Sequence, residues 1–131
     1  MLFDSKVVSQ AVAAPAEVVY HFARRIENLS RWASGLATGA HREHGVWYTE
    51  SPMGRVAVRM AAKNPFGVLD HDVTLPDGTV VHNAFRVSPC GDGSLLTFVV
   101  LRQPDVDLEQ FASDVAHVRR DLRALKRLLE E

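Results

Sequence analysis

The sequence has little cysteine, no leader-like N-terminal segment and no long apolar run, as is typical of an ordinary single-domain protein. Its 131 residues include one cysteine, Cys90, which excludes an intrachain disulfide. The first six residues lack the charged and apolar segments of a secretory leader, so we expect a cytoplasmic location. The longest strongly apolar run, residues 95–101, is far below the roughly 20 residues that cross a bilayer. We therefore predict one domain over residues 1–131 and no membrane span.

An excess of charge of one sign is also absent, because 15 Lys and Arg residues oppose 16 Asp and Glu residues. A net charge of −1 gives no field that would collect phosphates, and we expect no nucleic-acid partner. The chain contains no phosphate-binding glycine loop, dinucleotide-type glycine pattern, nucleophile elbow or paired-cysteine motif. We expect no cofactor, and these absences leave open whether the protein is an enzyme.

Two histidine-containing segments resemble metal sites in composition only. His41 and His44 lie three residues apart, and on a strand that spacing turns side chains to opposite faces. Asp70 and Asp72 likewise point away from the face that carries His71. We therefore predict no metal site.

The chain begins with a strand followed by a helix. Residues 6–12 are β-rich with rough alternation, and they end before Pro15, which suits the first turn of a helix. Apolar residues then recur at the spacing of a short amphipathic helix: Val19, Phe22, Ala23 and Ile26. Asn28 is predicted to cap a second short helical turn over residues 29–33, which Gly35 ends.

Residues 38–102 change to a period of two, interrupted by turn sequences, and this pattern predicts an antiparallel meander. One hairpin can be assigned residue by residue. Its turn sequence Pro-Asp-Gly reads as a three-residue loop that pairs Leu75 with Thr79. The same register places His71 opposite Asn83 on a face that is otherwise apolar.

The C-terminal part of the chain predicts one long helix. Residues 107–110 resemble a capping box, and apolar residues follow at alternating spacings of three and four: Leu108, Phe111, Val115, Val118, Leu122, Leu125 and Leu129. At about 1.5 Å per residue, such a helix is roughly 35 Å long and can cross a small sheet. The spacing also permits a coiled-coil seam, which would make the protein an interaction module.

The order of these elements is that of the α+β helix-grip fold. Residues 12–20 (VAAPAEVVY) and 27–32 (ENLSRW) resemble the start of SRPBCC proteins, the superfamily of START lipid-transfer domains, birch-pollen-type allergens and polyketide cyclases. The resemblance implies a curved antiparallel sheet of about six or seven strands around a long C-terminal helix, with two short helices after the first strand. It also implies an apolar cavity between sheet and helix.

His71 and Asn83 are the polar candidates for a site in that cavity. A buried polar group without a partner costs about 1–3 kcal/mol, so each should bond to the other, to a water or to a ligand. His71 is also the candidate general base, since a desolvated histidine is biased toward neutrality. The other candidate ligand-binding residues are apolar or aromatic: Trp47, Met60, Phe85, Phe98, Phe111, Val115 and Tyr20.

Three functions stay open at this point. The leading hypothesis is binding of a small hydrophobic or amphipathic molecule between the sheet and the C-terminal helix, with His71, Asn83 and Tyr20 orienting it. The second is a cyclase or dehydratase-type enzyme in which His71 moves a proton. The third is the helix-mediated interaction module. The sequence does not choose between a monomer and a homodimer.

Overall fold

The computed structural model describes residues 1–34 and 40–131, in which a curved antiparallel sheet of seven strands accompanies one long helix. The strands are β1 (Ser5–Val12), β2 (Ala40–Glu43), β3 (Val46–Ser51), β4 (Gly54–Met60), β5 (His71–Thr74), β6 (Val80–Cys90) and β7 (Gly93–Leu101). The helices are α1 (Ala16–Ala23), α2 (Leu29–Trp32) and α3 (Leu108–Glu130), with a 3₁₀ turn at Ile26–Asn28. The strand order is β1-β7-β6-β5-β4-β3-β2, so β1 and β2 are the edges. The predicted α+β helix-grip architecture is confirmed.

The β5–β6 hairpin has the predicted register. His71 pairs with Asn83, and beyond the strands the Leu75 N–H donates to the Thr79 carbonyl at 2.8 Å. Gly78 closes the loop with a φ of 90°, a left-handed conformation that glycine adopts without steric cost. The turn therefore decides which residues of these two strands share the concave face of the sheet.

The hydrophobic core forms where α3 lies against β1 and β7. The strand residues of the core are Val8, Val12, Val56, Val58, Phe85, Val87, Leu96, Phe98 and Val100. From α3, the side chains of Val115, Leu122 and Leu125 are buried in it, whereas Leu108 begins the helix and is 65% exposed. The apolar residues of α3 are therefore packed against the sheet and are not free to form a coiled coil. This packing argues against the hypothesis of a helix-mediated interaction module.

The two short helices add apolar side chains to the same core: Val19, Tyr20, Ala23, Leu29 and Trp32. The predicted cap at Asn28 is wrong. Its backbone is helical (φ −88°, ψ −7°), because a 3₁₀ turn leads directly into α2, and its amide donates to the Phe22 carbonyl at 3.1 Å instead. The predicted end of this turn at Gly35 lies outside the described residues. The α3 cap is as predicted, since Asp107 accepts from the Gln110 N–H at 2.8 Å.

Among residues 1–34 and 40–131, no helix is both long and apolar enough to cross a membrane.

Leu125 provides a test of how α3 is placed. It is fully buried, so Leu125→Ala should lower the free energy of unfolding by about 2–5 kcal/mol through lost apolar contacts and a residual cavity. Leu108→Ala removes the same atoms from an exposed position on the same helix. It should change the free energy of unfolding by less than about 0.5 kcal/mol. Urea denaturation measures both values. Equal losses in the two variants would contradict this packing.

Candidate functional site

Part of the concave face stays accessible to water because α3 packs toward the β1 edge of the sheet. Away from that edge, six concave-side residues on β3, β4, β5 and β6 are only half-buried, and we call them the open face: Trp47, Met60, His71, Val73, Val81 and Asn83. Cross-strand pairing places them on one side of the sheet, since Met60 pairs with His71 and Val73 pairs with Val81. The open face is apolar except at His71 and Asn83.

Hydrogen bonds fix the tautomer of His71. Its Nδ1 lies 3.0 Å from the Leu69 carbonyl oxygen, which can only accept, so Nδ1 carries the proton. Nε2 is then an acceptor and takes a hydrogen bond from Nδ2 of Asn83 at 3.3 Å. Among the described residues, no donor reaches Oδ1 of Asn83. The pair therefore has one acceptor, Oδ1 of Asn83, that the described residues leave unused.

Two phenylalanines form an aromatic floor beneath this pair. Phe85 and Phe98 lie directly opposite each other on β6 and β7, with ring centroids 5.2 Å apart. The His71 ring meets both edge-on, at 6.2 Å from Phe85 and 5.9 Å from Phe98. On α2, the ring of Trp32 lies 5.9 Å from that of Phe85. The floor holds the imidazole in one orientation, since edge-to-face contacts are the favoured geometry for such rings.

These surroundings favour the neutral form of His71. Burial lowers the pKa of His71 below its ordinary value of 6.5, because a charged imidazolium would lose its hydration among the rings. The hydrogen bond to Leu69 and the charge of Asp70 act in the opposite direction without overcoming burial. At neutral pH the ring is therefore an uncharged donor at Nδ1 and acceptor at Nε2.

The convex side of the same strands anchors the floor. Asp70 accepts the backbone N–H of Phe85 at 2.9 Å and forms an ion pair with Arg86 at 3.1 Å. Burial raises the pKa of the Asp70 carboxyl, but the hydrogen bonds from Arg86 and Phe85 lower it more, so it lies below its ordinary value of 3.8. Beside it, Asp72 and His82 form an outward pair with a 2.6 Å contact. Within the described residues, no three potential metal-ligating side chains form a metal site.

A depression of about 600 Å³ reaches the open face from the side of the 3₁₀ turn. Trp47, Val58 and Met60 line it from the sheet, and Arg24 and Glu27 lie on its other side. Sequence reasoning placed Trp47 and Met60 at the site but missed the other three. Val58 follows from the hairpin register, whereas nothing in the sequence indicated that Arg24 and Glu27 would lie across from it.

The remaining predicted site residues lie elsewhere. Tyr20 is buried and its hydroxyl accepts the Asn64 N–H at 2.8 Å, which ties α1 to the loop before β5. Tyr20 lines a separate depression of about 840 Å³ between α1, that loop and the β6–β7 turn. Phe111 and Val115 lie on α3, and neither lines either depression. The same holds for the sheet candidates His71, Asn83, Phe85 and Phe98. Strand pairing and ring contacts bring these four together, and Tyr20 lies apart from them.

No family model and no curated protein matches the chain. Solved structures do match it over nearly its full length. An uncharacterized protein from Bacillus thuringiensis superposes with a TM-score of 0.78 at 14% identity, over 98% of this chain and 100% of that one. DynU16, from the dynemicin biosynthetic locus, superposes with a TM-score of 0.72 at 16% identity, over 97% of this chain and 47% of that one. Ara h 8.0201 superposes with a TM-score of 0.66 at 11% identity, over 97% of each chain. This chain has the START-like helix-grip fold.

The START-like fold confirms the resemblance that residues 12–20 and 27–32 carry in the sequence. At these identities the likeness extends to the course of the backbone and not to individual side chains. No functional residue of a neighbour is therefore transferred to this chain, and the site is described by its own geometry alone.

The neutral state of His71 predicts a pH dependence of stability. Because its pKa is lowered on folding, the unfolded chain binds more protons as the pH falls below about 6.5, and stability decreases in that range. His71→Gln removes this group, so its melting temperature should fall less than that of the wild type between about pH 7.5 and about pH 5. His44→Gln, at an exposed position, is the control and should follow the wild type. Parallel curves for all three proteins would contradict a desolvated His71.

Proposed function

We propose that this protein binds one small hydrophobic or amphipathic molecule on the open face. The observation that supports this most is that an apolar face on the concave side of the sheet remains half-buried where α3 does not cover it. Apolar surface gains about 25 cal/mol for each Å² removed from water, so a ligand that covers these side chains is bound by the hydrophobic effect. The depression of about 600 Å³ lies at one end of this face, beside Trp47 and Met60.

His71 and Asn83, the polar pair of the open face, indicate which polar group the ligand carries. Oδ1 of Asn83 is an acceptor without a protein donor in the described residues, so it suits a hydroxyl group on the bound molecule. His71 acts as a positioning residue, since its Nε2 holds the Asn83 amide and its Nδ1 is held by Leu69. The ligand class is therefore an apolar skeleton that carries at least one hydroxyl group.

The structural neighbours support a ligand of this kind. They include birch-pollen-allergen-like and polyketide-cyclase-like proteins, and DynU16 is encoded in a biosynthetic locus. The START-like fold is of the kind that binds small hydrophobic molecules.

A cyclase or dehydratase-type enzyme is the second candidate, and the lowered pKa of His71 favours it. A neutral imidazole accepts a proton through the lone pair of Nε2. In this structure that lone pair already receives the Asn83 amide, so a substrate would have to displace Asn83 before His71 could act. Binding needs no such rearrangement and is the function that the geometry supports better. Turnover of a poly-carbonyl compound that disappears in His71→Gln would establish the enzyme instead.

Two adjacent valines on β6 allow a matched test of the site. Val81 belongs to the open face, whereas Val80 points to the convex side and is 54% exposed. A thermal-shift screen with fatty acids, sterols and flavonoids should raise the melting temperature of the wild type for at least one class. Val81→Trp should weaken that ligand by about tenfold or more because the indole occupies its volume, while Val80→Trp should bind as the wild type does. Equal binding by the two variants would remove the open face as the site.

The polar pair is tested with two flavonoids that differ in hydroxylation, naringenin and unsubstituted flavanone. Asn83→Leu should weaken naringenin by up to about tenfold, through loss of one hydrogen bond, and leave flavanone unchanged. His71→Leu should have the same selectivity, since it releases the Asn83 amide. If neither variant distinguishes the two compounds, His71 and Asn83 only satisfy each other.

A further inference from the structure

One face of α3 concentrates positive charge that the net charge of the chain conceals. Between residues 119 and 127 the helix carries five cations, which we call the basic face: Arg119, Arg120, Arg123, Lys126 and Arg127. The one carboxylate in this stretch, Asp121, accepts the Ser34 hydroxyl at 2.8 Å and so is directed toward the end of α2. Since the whole chain has a net charge of −1, the rest of the molecule is negative. The overall balance gave no sign of this segregation.

Three members of the basic face have no partner. Arg119, Arg123 and Arg127 are exposed and make no hydrogen bond or ion pair with any described residue. Spaced four residues apart, they form one line about 12 Å long on the helix, which we call the arginine stripe. By contrast, Lys126 is paired with Glu130, and Arg120 contacts His117 at 3.3 Å.

The arginine stripe is not explained by the stability of the helix. Arg123 has a cation at each of its four neighbouring helical positions, three and four residues away in both directions. Like charges at these spacings destabilise a helix by about 0.2–0.5 kcal/mol per pair. Cations favour the helix C-terminus only within its last turn, which contains Arg127, whereas Arg119 and Arg123 lie before that turn. The repulsion is therefore a feature that an anionic partner would relieve.

We propose that the arginine stripe docks the protein on an anionic membrane surface. The apolar side of α3 is buried in the core, so the helix lies on the surface through its charges and does not insert. A straight line of guanidinium groups matches a flat layer of lipid phosphates, and clustered cations are attracted to such a layer. Because the rest of the chain is negative, the surface field also orients the molecule with α3 toward the lipid.

Nucleic acid is the less favoured anion. Residues 112–131 contain no Phe, Tyr or Trp, so this part of α3 supplies no such ring on which a base could stack. A nucleic acid also extends beyond a contact of this size, and the negative charge on the rest of the chain would repel its other phosphates. An acidic protein is the other possible occupant, and both are included in the test.

The test is vesicle co-sedimentation of the full chain. Wild-type protein should bind vesicles of an equal mixture of phosphatidylcholine and phosphatidylglycerol at low ionic strength, release them at high ionic strength, and ignore pure phosphatidylcholine. The stripe variant, Arg119→Gln with Arg123→Gln and Arg127→Gln, should lose about a hundredfold in partition coefficient. The control variant, Lys6→Gln with Arg59→Gln and Lys63→Gln, removes the same charge from exposed positions elsewhere and should bind as the wild type does.

Several results would overturn the proposal. These are absence of wild-type binding to the anionic vesicles, equal losses in the stripe and control variants, or tighter binding of duplex DNA or polyglutamate than of vesicles at the same ionic strength. The docking proposal goes beyond the ligand site and does not depend on it. Thermal shifts with the fatty acid, sterol and flavonoid panel should be unchanged in the stripe variant. Failure of the docking proposal can therefore be distinguished from failure of the proposed ligand site. Circular dichroism checks that both variants are folded.

Discussion

The packing of α3 against β1 and β7 determines both where the core lies and which part of the sheet stays accessible. It buries Leu122, Leu125 and the facing strand residues, and so accounts for a large part of the hydrophobic core. Because these strands lie at one edge, the same contact leaves the concave side of β3, β4 and β5 less covered. The candidate site therefore borders the core, since Val58 of β4 and the Phe85–Phe98 floor beneath His71 are themselves buried core residues.

Polar interactions across two strands hold the site in a defined geometry. On the concave side, the Leu69 carbonyl fixes His71, which in turn fixes Asn83. On the convex side, Asp70 holds the backbone of Phe85 and thus the floor on which His71 rests. Because groups so constrained lose little freedom when a ligand arrives, an ordered acceptor is more selective than a mobile one.

The two faces of α3 have separate physical tasks. Its inward face supplies core residues at alternating spacings of three and four, whereas its outward face carries the arginine stripe. Both patterns coexist because a helix places residues four apart on nearly the same line. The proposed ligand site on the sheet and the proposed docking surface on the helix are thus joined by one rigid element, which sets the orientation of the ligand site relative to an anionic surface.

Local periodicity and turn chemistry were enough to predict the secondary-structure elements and one strand register. The three-residue loop before Thr79 fixed His71 opposite Asn83, and the spacing from Phe111 to Leu129 fixed one long helix. Three features were visible only in the folded molecule: the strands that α3 covers, the hydrogen bond from Asn64 to the Tyr20 hydroxyl, and the position of Arg24 beside the depression. These features arise from contacts between segments that are distant along the chain, and local patterns carry no information about how such segments are placed against one another.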